Sequence, residues 1–139
     1  MDRLQRFLDA QAPVYEEVLA ELRAGCKQSH WMWFIFPQLR GLGHSSMAQH
    51  YGIAGRAEAL AYAQHPLLGA RLQDCMALLL AHRGLSAEDI FGGIDAMKLR
   101  SCATLFAAVA PQQPVYAQVL QQFYAGQPCH RTLELLAAS

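Results

Sequence analysis

The segment WMWFIFP (residues 31–37) decides between a helical fold and a mixed one. Its aromatic and β-branched side chains suit a β-strand. No other stretch of the chain offers a partner strand, and Pro37 interrupts regular structure at the end of the segment. We therefore predict a buried helical turn over residues 31–36 and an all-α fold without a substantial sheet.

On both sides of this segment, Pro and Gly occur where helices would start and stop. Asp2 is placed to cap a first short helix, and Ser86 with Asp89 predicts a capping box for a short turn. Asp95 predicts the N-cap of the helix that follows. Apolar residues recur at helical spacing in segments 13–25, 55–64, 66–84, 96–109, 114–126 and 129–137. We expect about seven helices in a single compact multihelical domain over residues 1–139.

The composition excludes several classes of protein. Hydrophobic residues make up 53 % of the chain, which argues against disorder. Eleven Lys and Arg residues balance eleven Asp and Glu residues, so no basic surface for duplex nucleic acid or for an anionic membrane is predicted. No apolar run suits a membrane span, and the acidic residues near the start are unlike a signal peptide. The four cysteines form no C-x-x-C pair, so we expect reduced thiols in a cytoplasmic protein.

Lysine is scarce in this chain, which has nine arginines and only two lysines, Lys27 and Lys98. Arginine cannot replace lysine where a compact ammonium group or its proton chemistry is required. One interpretation is that these two lysines remain where that chemistry matters. Chance survival is an equally good explanation from the sequence alone.

Polar residues flank the aromatic segment. Lys27 and His30 precede it, Gln38 follows it, and both tryptophans of the chain, Trp31 and Trp33, lie within it. The segment is either a plug of the hydrophobic core or one wall of a cleft, with one aromatic face in the core and the other towards a ligand.

A glycine-rich turn, GLGHS (residues 41–45), follows the aromatic segment. Gly41 and Gly43 permit positive φ angles, so the backbone N–H groups can form a concave anion site to which Ser45 adds a hydroxyl. The turn lacks the third glycine and the lysine of known phosphate loops, and an ordinary turn is the alternative.

The segment around residues 92–106 carries a second polar set. Asp95 and Lys98 are three residues apart and therefore share one face of a helix, with Ser101 one turn further on. Such a pair can bind a phosphate or position a proton, and the alternative is an N-cap with a surface ion pair. His44 and His50 are six residues apart without a completing ligand, so neither a metal site nor a cofactor is expected.

Four blocks of the sequence carry a resemblance to a known family: RFLDAQ (6–11), ELRAGCKQSHWMWFIFPQLRGLGHS (21–45), EALAYAQHPLLGARL (58–72) and IFGGIDAMKLRSCATLF (90–106). They resemble the domain of unknown function 1810 family of small bacterial and fungal proteins, sometimes mislabelled calpastatin-like. The resemblance implies a multihelical domain and no defined activity. It adds Glu58 and Arg71 to the pattern residues above. The chain departs from the pattern at Cys129, where relatives carry an acid before Thr132.

The pattern is also similar to that of the NADAR-type helical enzymes, which act on ADP-ribose-like N-glycosides. Those enzymes likewise combine an early aromatic segment, a helical Glu-Ala pair and a later lysine on a helix. By analogy the resemblance implies hydrolysis of an N-glycosidic bond as one possible reaction.

These observations predict a pocket for a phosphorylated or nucleotide-like small molecule. Trp31 or Trp33 would stack on a base, Glu58 or Asp95 would act as acid or base, and Lys98 would orient the ligand or stabilise charge. The other predicted ligand-binding residues are Lys27, His30, Gln38, Gly41, Gly43, Ser45, Arg71 and Ser101. The alternative function is a non-catalytic interaction module in which segment 31–36 receives a partner's helix or peptide. The sequence does not specify the oligomeric state.

Overall fold

The computed structural model describes residues 3–139, which form ten α-helices. In chain order they are α1 (Gln5–Gln11), α2 (Tyr15–Ala24), α3 (Met32–Ile35), α4 (Ser46–Tyr51), α5 (Arg56–Gln64), α6 (Leu68–Leu80), α7 (Ala87–Phe91), α8 (Gly93–Val109), α9 (Val115–Tyr124) and α10 (His130–Ala137). This part of the chain contains no strand, only one isolated parallel bridge between Leu39 and Ile53. The all-α class is therefore confirmed.

The predicted number of about seven helices is wrong. Two of the additional elements, α3 and α7, were expected as helical turns, and α4 was not expected at all. Helix α4 forms because the Ser45 hydroxyl accepts a hydrogen bond from the Ala48 N–H at 3.1 Å, which satisfies a donor at the start of the helix. The segment has no long apolar repeat, so its helical character depends on this cap rather than on periodicity. The predicted Asp2 cap lies outside the described residues.

Other helix ends agree with their sequence signals. Ser86 and Asp89 form the predicted capping box, with distances of 2.9 and 3.0 Å. Gly25 ends α2 in the left-handed region at φ +71°. The Nδ1 atom of His65 accepts hydrogen bonds from two backbone N–H groups at the start of α6. Among the described residues, no helix combines the length and apolar character needed to cross a membrane.

Helix α8 lies at the centre of the fold and packs against α5, α7, α9 and α10. Its buried side chains include Leu99, Leu105 and Phe106, and they belong to one continuous hydrophobic cluster of the described residues. A helix with apolar residues on most of its circumference is expected to be buried in this way. The single domain over residues 1–139 stays a prediction.

The start of α8 faces the loop between α2 and α3. Gly92, at φ +79°, separates α7 from α8 and redirects the chain, a conformation that favours glycine. The Lys27 N–H donates to the carbonyl of Ile90 at 2.9 Å and ties the loop to the end of α7. The predicted N-cap at Asp95 is wrong. Helix α8 begins at Gly93 with Gly92 as its N-cap, so Asp95 lies in the first turn of the helix. The Asp95 carboxylate is consequently available to other partners.

Candidate functional site

The two lysines of the chain meet at one carboxylate. The Nζ atom of Lys27 lies 2.9 Å from Oδ2 of Asp95, and the Nζ atom of Lys98 lies 3.1 Å from Oδ1. Burial opposes ionisation of Asp95, but the hydrogen bonds and charges of the two lysines outweigh it and hold the pKa of this carboxyl below its usual value. Asp95 is therefore ionised at neutral pH, and two positive charges share one negative charge.

Each lysine also lies over a tryptophan. Lys98 Nζ is 3.8 Å from the ring centroid of Trp33, and Lys27 Nζ is 5.2 Å from that of Trp31. Trp31 is only 1 % exposed, and its indole N–H donates to the Glu21 carboxylate at 3.0 Å. Trp33 is half-buried. Of the two predicted stacking residues, the structure therefore leaves Trp33 accessible to a ligand and places Trp31 in the core.

Trp33 and Lys98 line two adjoining compartments of one cleft. The lysine compartment has a volume of about 260 Å³, and its other walls are Lys27, His30, Met32, Met47 and Asp95. The thiol compartment has a volume of about 380 Å³, and its other walls are Gln38, Leu42, Gly43, Ile94, Met97, Ser101, Cys129 and Arg131. The two compartments together are lined by three cationic side chains, those of Lys27, Lys98 and Arg131, and by one carboxylate, that of Asp95. The cleft therefore favours anions.

Eight of the predicted site residues line this cleft: Lys27, His30, Trp33, Gln38, Gly43, Asp95, Lys98 and Ser101. The remaining five line neither compartment: Trp31, Gly41, Ser45, Glu58 and Arg71. Segments 27–38 and 95–101 thus converge as expected. Glu58 and Arg71, which the resemblance added, do not line the cleft.

Glu58 belongs to a separate ion pair on α5. Its carboxylate accepts hydrogen bonds from the Arg6 guanidinium at 3.0 and 3.2 Å and from the Ala54 N–H at 2.9 Å, with Arg3 at 3.8 Å. Burial raises the pKa of Glu58, but these partners outweigh it and the net shift is downward. Glu58 therefore joins α1 to α5, and its oxygens are already occupied.

Arg71 takes part in a buried polar network between α1, α2 and α6. Its guanidinium donates to Oε1 of Gln11 at 3.2 Å and lies 4.5 Å from the ring centroid of Tyr15. Gln11 is itself buried and donates to the Phe34 carbonyl and the Tyr62 hydroxyl. The arginine thus completes the hydrogen bonding of a core amide, away from the cleft.

Only part of the glycine-rich turn lies at the cleft. Gly41 adopts φ +104°, which favours glycine, and Gly43 lines the thiol compartment. The Ser45 hydroxyl oxygen accepts the α4 capping bond, and Ser45 lines neither compartment. The structure therefore brings one of these three residues to the site.

Glu21 is a positioning residue that sequence reasoning missed. Its carboxylate accepts the backbone N–H groups of Gln28 (2.7 Å) and Ser29 (3.0 Å), the Ser29 hydroxyl (2.6 Å) and the Trp31 indole N–H. Burial opposes ionisation, but these four donors lower the pKa of Glu21 to about 2. The carboxylate fixes the loop that carries Lys27 and His30. No local pattern identifies it, because its partners are seven to ten residues away.

Cys129 is a second residue whose place in the site was not predicted. It is half-buried at the N-cap of α10, and its backbone N–H donates to Thr104 Oγ1 at 2.8 Å. Burial disfavours its thiolate, but the hydrogen bond from the Ser101 hydroxyl and the backbone N–H groups of Arg131 and Thr132 at the start of α10 outweigh it, so the pKa of the thiol lies below its usual value. All four cysteines are free thiols. Within residues 3–139 no cluster of three potential metal ligands occurs.

Comparison with known proteins gives a family and a structural relative. The family model described as "Protein of unknown function (DUF1810)" matches residues 1–136 of this chain. The fold is similar to that of a conserved hypothetical protein from Mycobacterium tuberculosis, known from a crystal structure at 1.38 Å, with a TM-score of 0.96 and 51 % identity. The match covers 98 % of this chain and 97 % of that protein. No curated protein matches the sequence.

Proposed function

The chain belongs to the DUF1810 family of proteins of unknown function, and since that membership brings no activity, we propose a function from the cleft itself. The cleft binds a small phosphorylated, nucleotide-like molecule. Its phosphate lies beside Lys27 and Lys98, and its planar group lies against Trp33. The observation that carries this proposal is the sharing of one carboxylate by both lysines.

The electrostatics of the lysine compartment support an anionic ligand. The side chains of Lys27 and Lys98 are only 9 % and 17 % exposed, so water neutralises their surplus positive charge poorly. Each ammonium has three donor hydrogens, and Asp95 accepts one from each. A phosphate group, with a charge of about −1.5 to −2, would accept donors that remain and balance the charge.

The shape of the cleft supports a ligand with a planar or apolar part. Trp33 lines both compartments, and Ile94 and Met97 are 75 % and 72 % exposed along the wall of the thiol compartment. Exposed apolar side chains beside a cavity are typical of ligand-binding surfaces. The two compartments together have the size of a pocket for a small nucleotide-like molecule.

Hydrolysis of an ADP-ribose-like N-glycoside is a second candidate, favoured by the lowered pKa of Asp95. An ionised carboxylate can stabilise the oxocarbenium-like transition state or hold the attacking water. Such reactions also require a group that protonates the leaving base. Glu58 lies outside the cleft, so His30, the imidazole in the lining of the lysine compartment, would take that role.

The interaction module built on segment 31–36 has less support. Trp31, Met32, Phe34, Ile35 and Phe36 are all buried in the core, which leaves only Trp33 partly accessible. A partner helix needs a row of accessible apolar side chains, and this segment does not provide one.

Ligand binding is tested by titrating the protein with ADP-ribose, AMP, ribose 5-phosphate and inorganic phosphate. Tryptophan fluorescence and thermal unfolding report occupancy, and Trp33→Phe should remove the fluorescence change because Trp31 is shielded. Lys98→Gln should weaken binding about 10- to 100-fold, the usual effect of losing a charged hydrogen bond. Arg83→Gln, an exposed arginine outside the cleft, is the matched control. Absence of any response at millimolar ligand would overturn the proposal.

Asp95→Asn separates binding from hydrolysis. Removing the carboxylate increases the surplus positive charge, so the variant should bind phosphorylated ligands at least as tightly as the wild type. Release of the base from an ADP-ribose N-glycoside, measured by chromatography, should be lost in the same variant. Wild-type binding without turnover would refute hydrolysis alone, and loss of binding in Asp95→Asn would refute the proposed phosphate site.

A further inference from the structure

Gln38 carries a side-chain amide without a protein partner in the wall of the thiol compartment. The residue is half-buried and lines this compartment but not the lysine compartment. Within residues 3–139 its amide makes no hydrogen bond. The buried amide of Gln11, in contrast, is bonded to the Phe34 carbonyl, the Tyr62 hydroxyl and the Arg71 guanidinium. The Gln38 amide therefore offers both its donor hydrogens and its acceptor oxygen to a molecule in the cleft.

The backbone around Gln38 is held in place although the side chain is free. The Gln38 carbonyl accepts the Ile53 N–H at 2.9 Å, and the Arg40 N–H donates to the Ile53 carbonyl at 2.8 Å, which forms the bridge between Leu39 and Ile53. Neighbouring residues of a bridged chain point to opposite sides. Leu39 is only 4 % exposed and faces the core, so Gln38 faces the compartment that it lines.

The other hydrogen-bonding groups of this wall differ according to the segment that carries them. On α8 and α10, Ser101 donates to a backbone carbonyl at 3.1 Å, and Lys98 and Arg131 contact carboxylates at 3.1 and 3.4 Å. On the opposite segment, the indole N–H of Trp33 resembles the Gln38 amide, because it too has no partner in the described part of the chain. A half-buried indole N–H normally finds one. Segment 33–38 thus presents two free polar groups to the cleft.

The proposed position of the phosphate places the rest of the ligand near these groups. Trp33 lines both compartments, so a planar group that lies against it extends from the lysines into the thiol compartment. Leu42 and Met97 supply apolar contacts there, and Gln38 supplies the free amide. A nucleobase has apolar faces and a polar edge, which suits a cavity with apolar walls and one amide.

We propose that Gln38 is a specificity-determining residue that selects ligands whose base carries a hydrogen-bond donor next to an acceptor. A glutamine amide pairs with such an edge through two hydrogen bonds, as with N6 and N7 of adenine. The amide oxygen accepts from the amino group, and the amide nitrogen donates to the ring nitrogen. The ligand is then an adenine-type nucleotide and not a sugar phosphate alone. This inference rests on the proposed function, because it requires the phosphate to lie at Lys27 and Lys98.

The base preference is tested first on the wild type, by calorimetric titration with AMP, purine riboside 5′-monophosphate and ribose 5-phosphate. Purine riboside 5′-monophosphate keeps the ring and the phosphate but lacks the amino group of adenine. AMP should bind about tenfold more tightly than this analogue, because a paired edge discriminates by roughly that factor. Ribose 5-phosphate, which has no base, should bind more weakly than either. Equal affinities for AMP and the analogue would overturn the inference.

Gln38→Leu removes the amide and keeps an apolar side chain of similar size. AMP and purine riboside 5′-monophosphate should then bind within about twofold of each other, whereas the affinity for ribose 5-phosphate should equal that of the wild type. Gln118→Leu, a substitution of an exposed glutamine of α9 outside both compartments, is the matched control and should keep the preference for AMP. An equal loss of affinity for all three ligands in Gln38→Leu would show a structural role and refute the inference.

The same titrations separate this inference from the proposed function. Binding of ribose 5-phosphate that is weakened by Lys98→Gln, without a preference for AMP, would refute the role of Gln38 and leave the phosphate site in place. Failure of all three ligands to bind at millimolar concentration would refute both.

Discussion

The carboxylate of Glu21 gives a sharp test of how the cleft is assembled. Glu21→Gln keeps the shape of the side chain and removes its charge, so the contacts to Gln28, Ser29 and Trp31 become neutral hydrogen bonds. Because these bonds fix the loop that carries Lys27, we expect the substitution to lower both the free energy of unfolding and the affinity for a phosphorylated ligand.

The magnitude follows from the pKa of Glu21, which falls from 4.5 to about 2 on folding. A difference of this size corresponds to about 3 kcal/mol, and partial exposure to solvent reduces it to about 2 kcal/mol. A carboxyl whose pKa is lowered on folding stabilises the protein above its unfolded pKa. That stabilisation is fully present above pH 4.5 and is lost as the pH falls through about 2.

Urea unfolding of the wild type and of Glu21→Gln at pH 7 and pH 3 measures this effect. At each pH the free energy of unfolding of the variant is subtracted from that of the wild type, so that the contribution of the other carboxyls cancels. The difference should be about 2 kcal/mol at pH 7 and clearly smaller at pH 3. Glu17→Gln is the matched control. Within residues 3–139, Glu17 contacts the Ser29 hydroxyl, whose single proton it shares with Glu21, so the substitution should change stability by less than about 0.5 kcal/mol. A difference that stays constant with pH would refute the reasoning.

Three further substitutions test the packing and the boundaries of the site. Gly69→Ala should lower the free energy of unfolding by more than about 2 kcal/mol in urea titrations, because its Cβ would lie 2.2 Å from the Ala63 carbonyl oxygen; near-wild-type stability would contradict this contact. Ser45→Ala removes the cap of α4 and should cost about 1 kcal/mol, measured by thermal unfolding, and a neutral result would show that the cap is dispensable. Glu58→Gln weakens the ion pair with Arg6 and should cost about 1–2 kcal/mol without changing ligand affinity; weaker binding in the titration would place Glu58 in the site after all.

The long helices could be predicted because several independent signals agree in them. In α2 and α9 a proline at or just before the start, an apolar stripe and a glycine within two residues of the end specify the same element. Helix α4 has no such agreement. It depends on one hydroxyl whose direction is set by the backbone of the preceding turn, which a sequence pattern does not reveal.

The two lysines, Asp95 and several wall residues of the cleft could be predicted from the sequence, but the residues that hold its walls in place could not. Trp31 and Trp33 are two residues apart and chemically identical, so only the packing of the whole fold determines which one is buried. Glu58 was predicted to act in the site, whereas no pattern singled out Glu21. The Glu58 carboxylate is paired with Arg6, which is distant in sequence, and the Glu21 carboxylate accepts hydrogen bonds from a loop beyond its own helix. Long-range partners of this kind leave no periodic signal.

The scarcity of lysine makes the meeting of Lys27 and Lys98 at Asp95 directly observable in solution. Isotope labelling restricted to lysine would give an NMR spectrum with side-chain signals from only two residues, and both lie in the cleft. The ammonium nitrogen is sensitive to a change of hydrogen-bond acceptor, so a ligand that enters should shift both signals together. The composition of the chain thus provides a built-in spectroscopic probe of occupancy, without any engineered label.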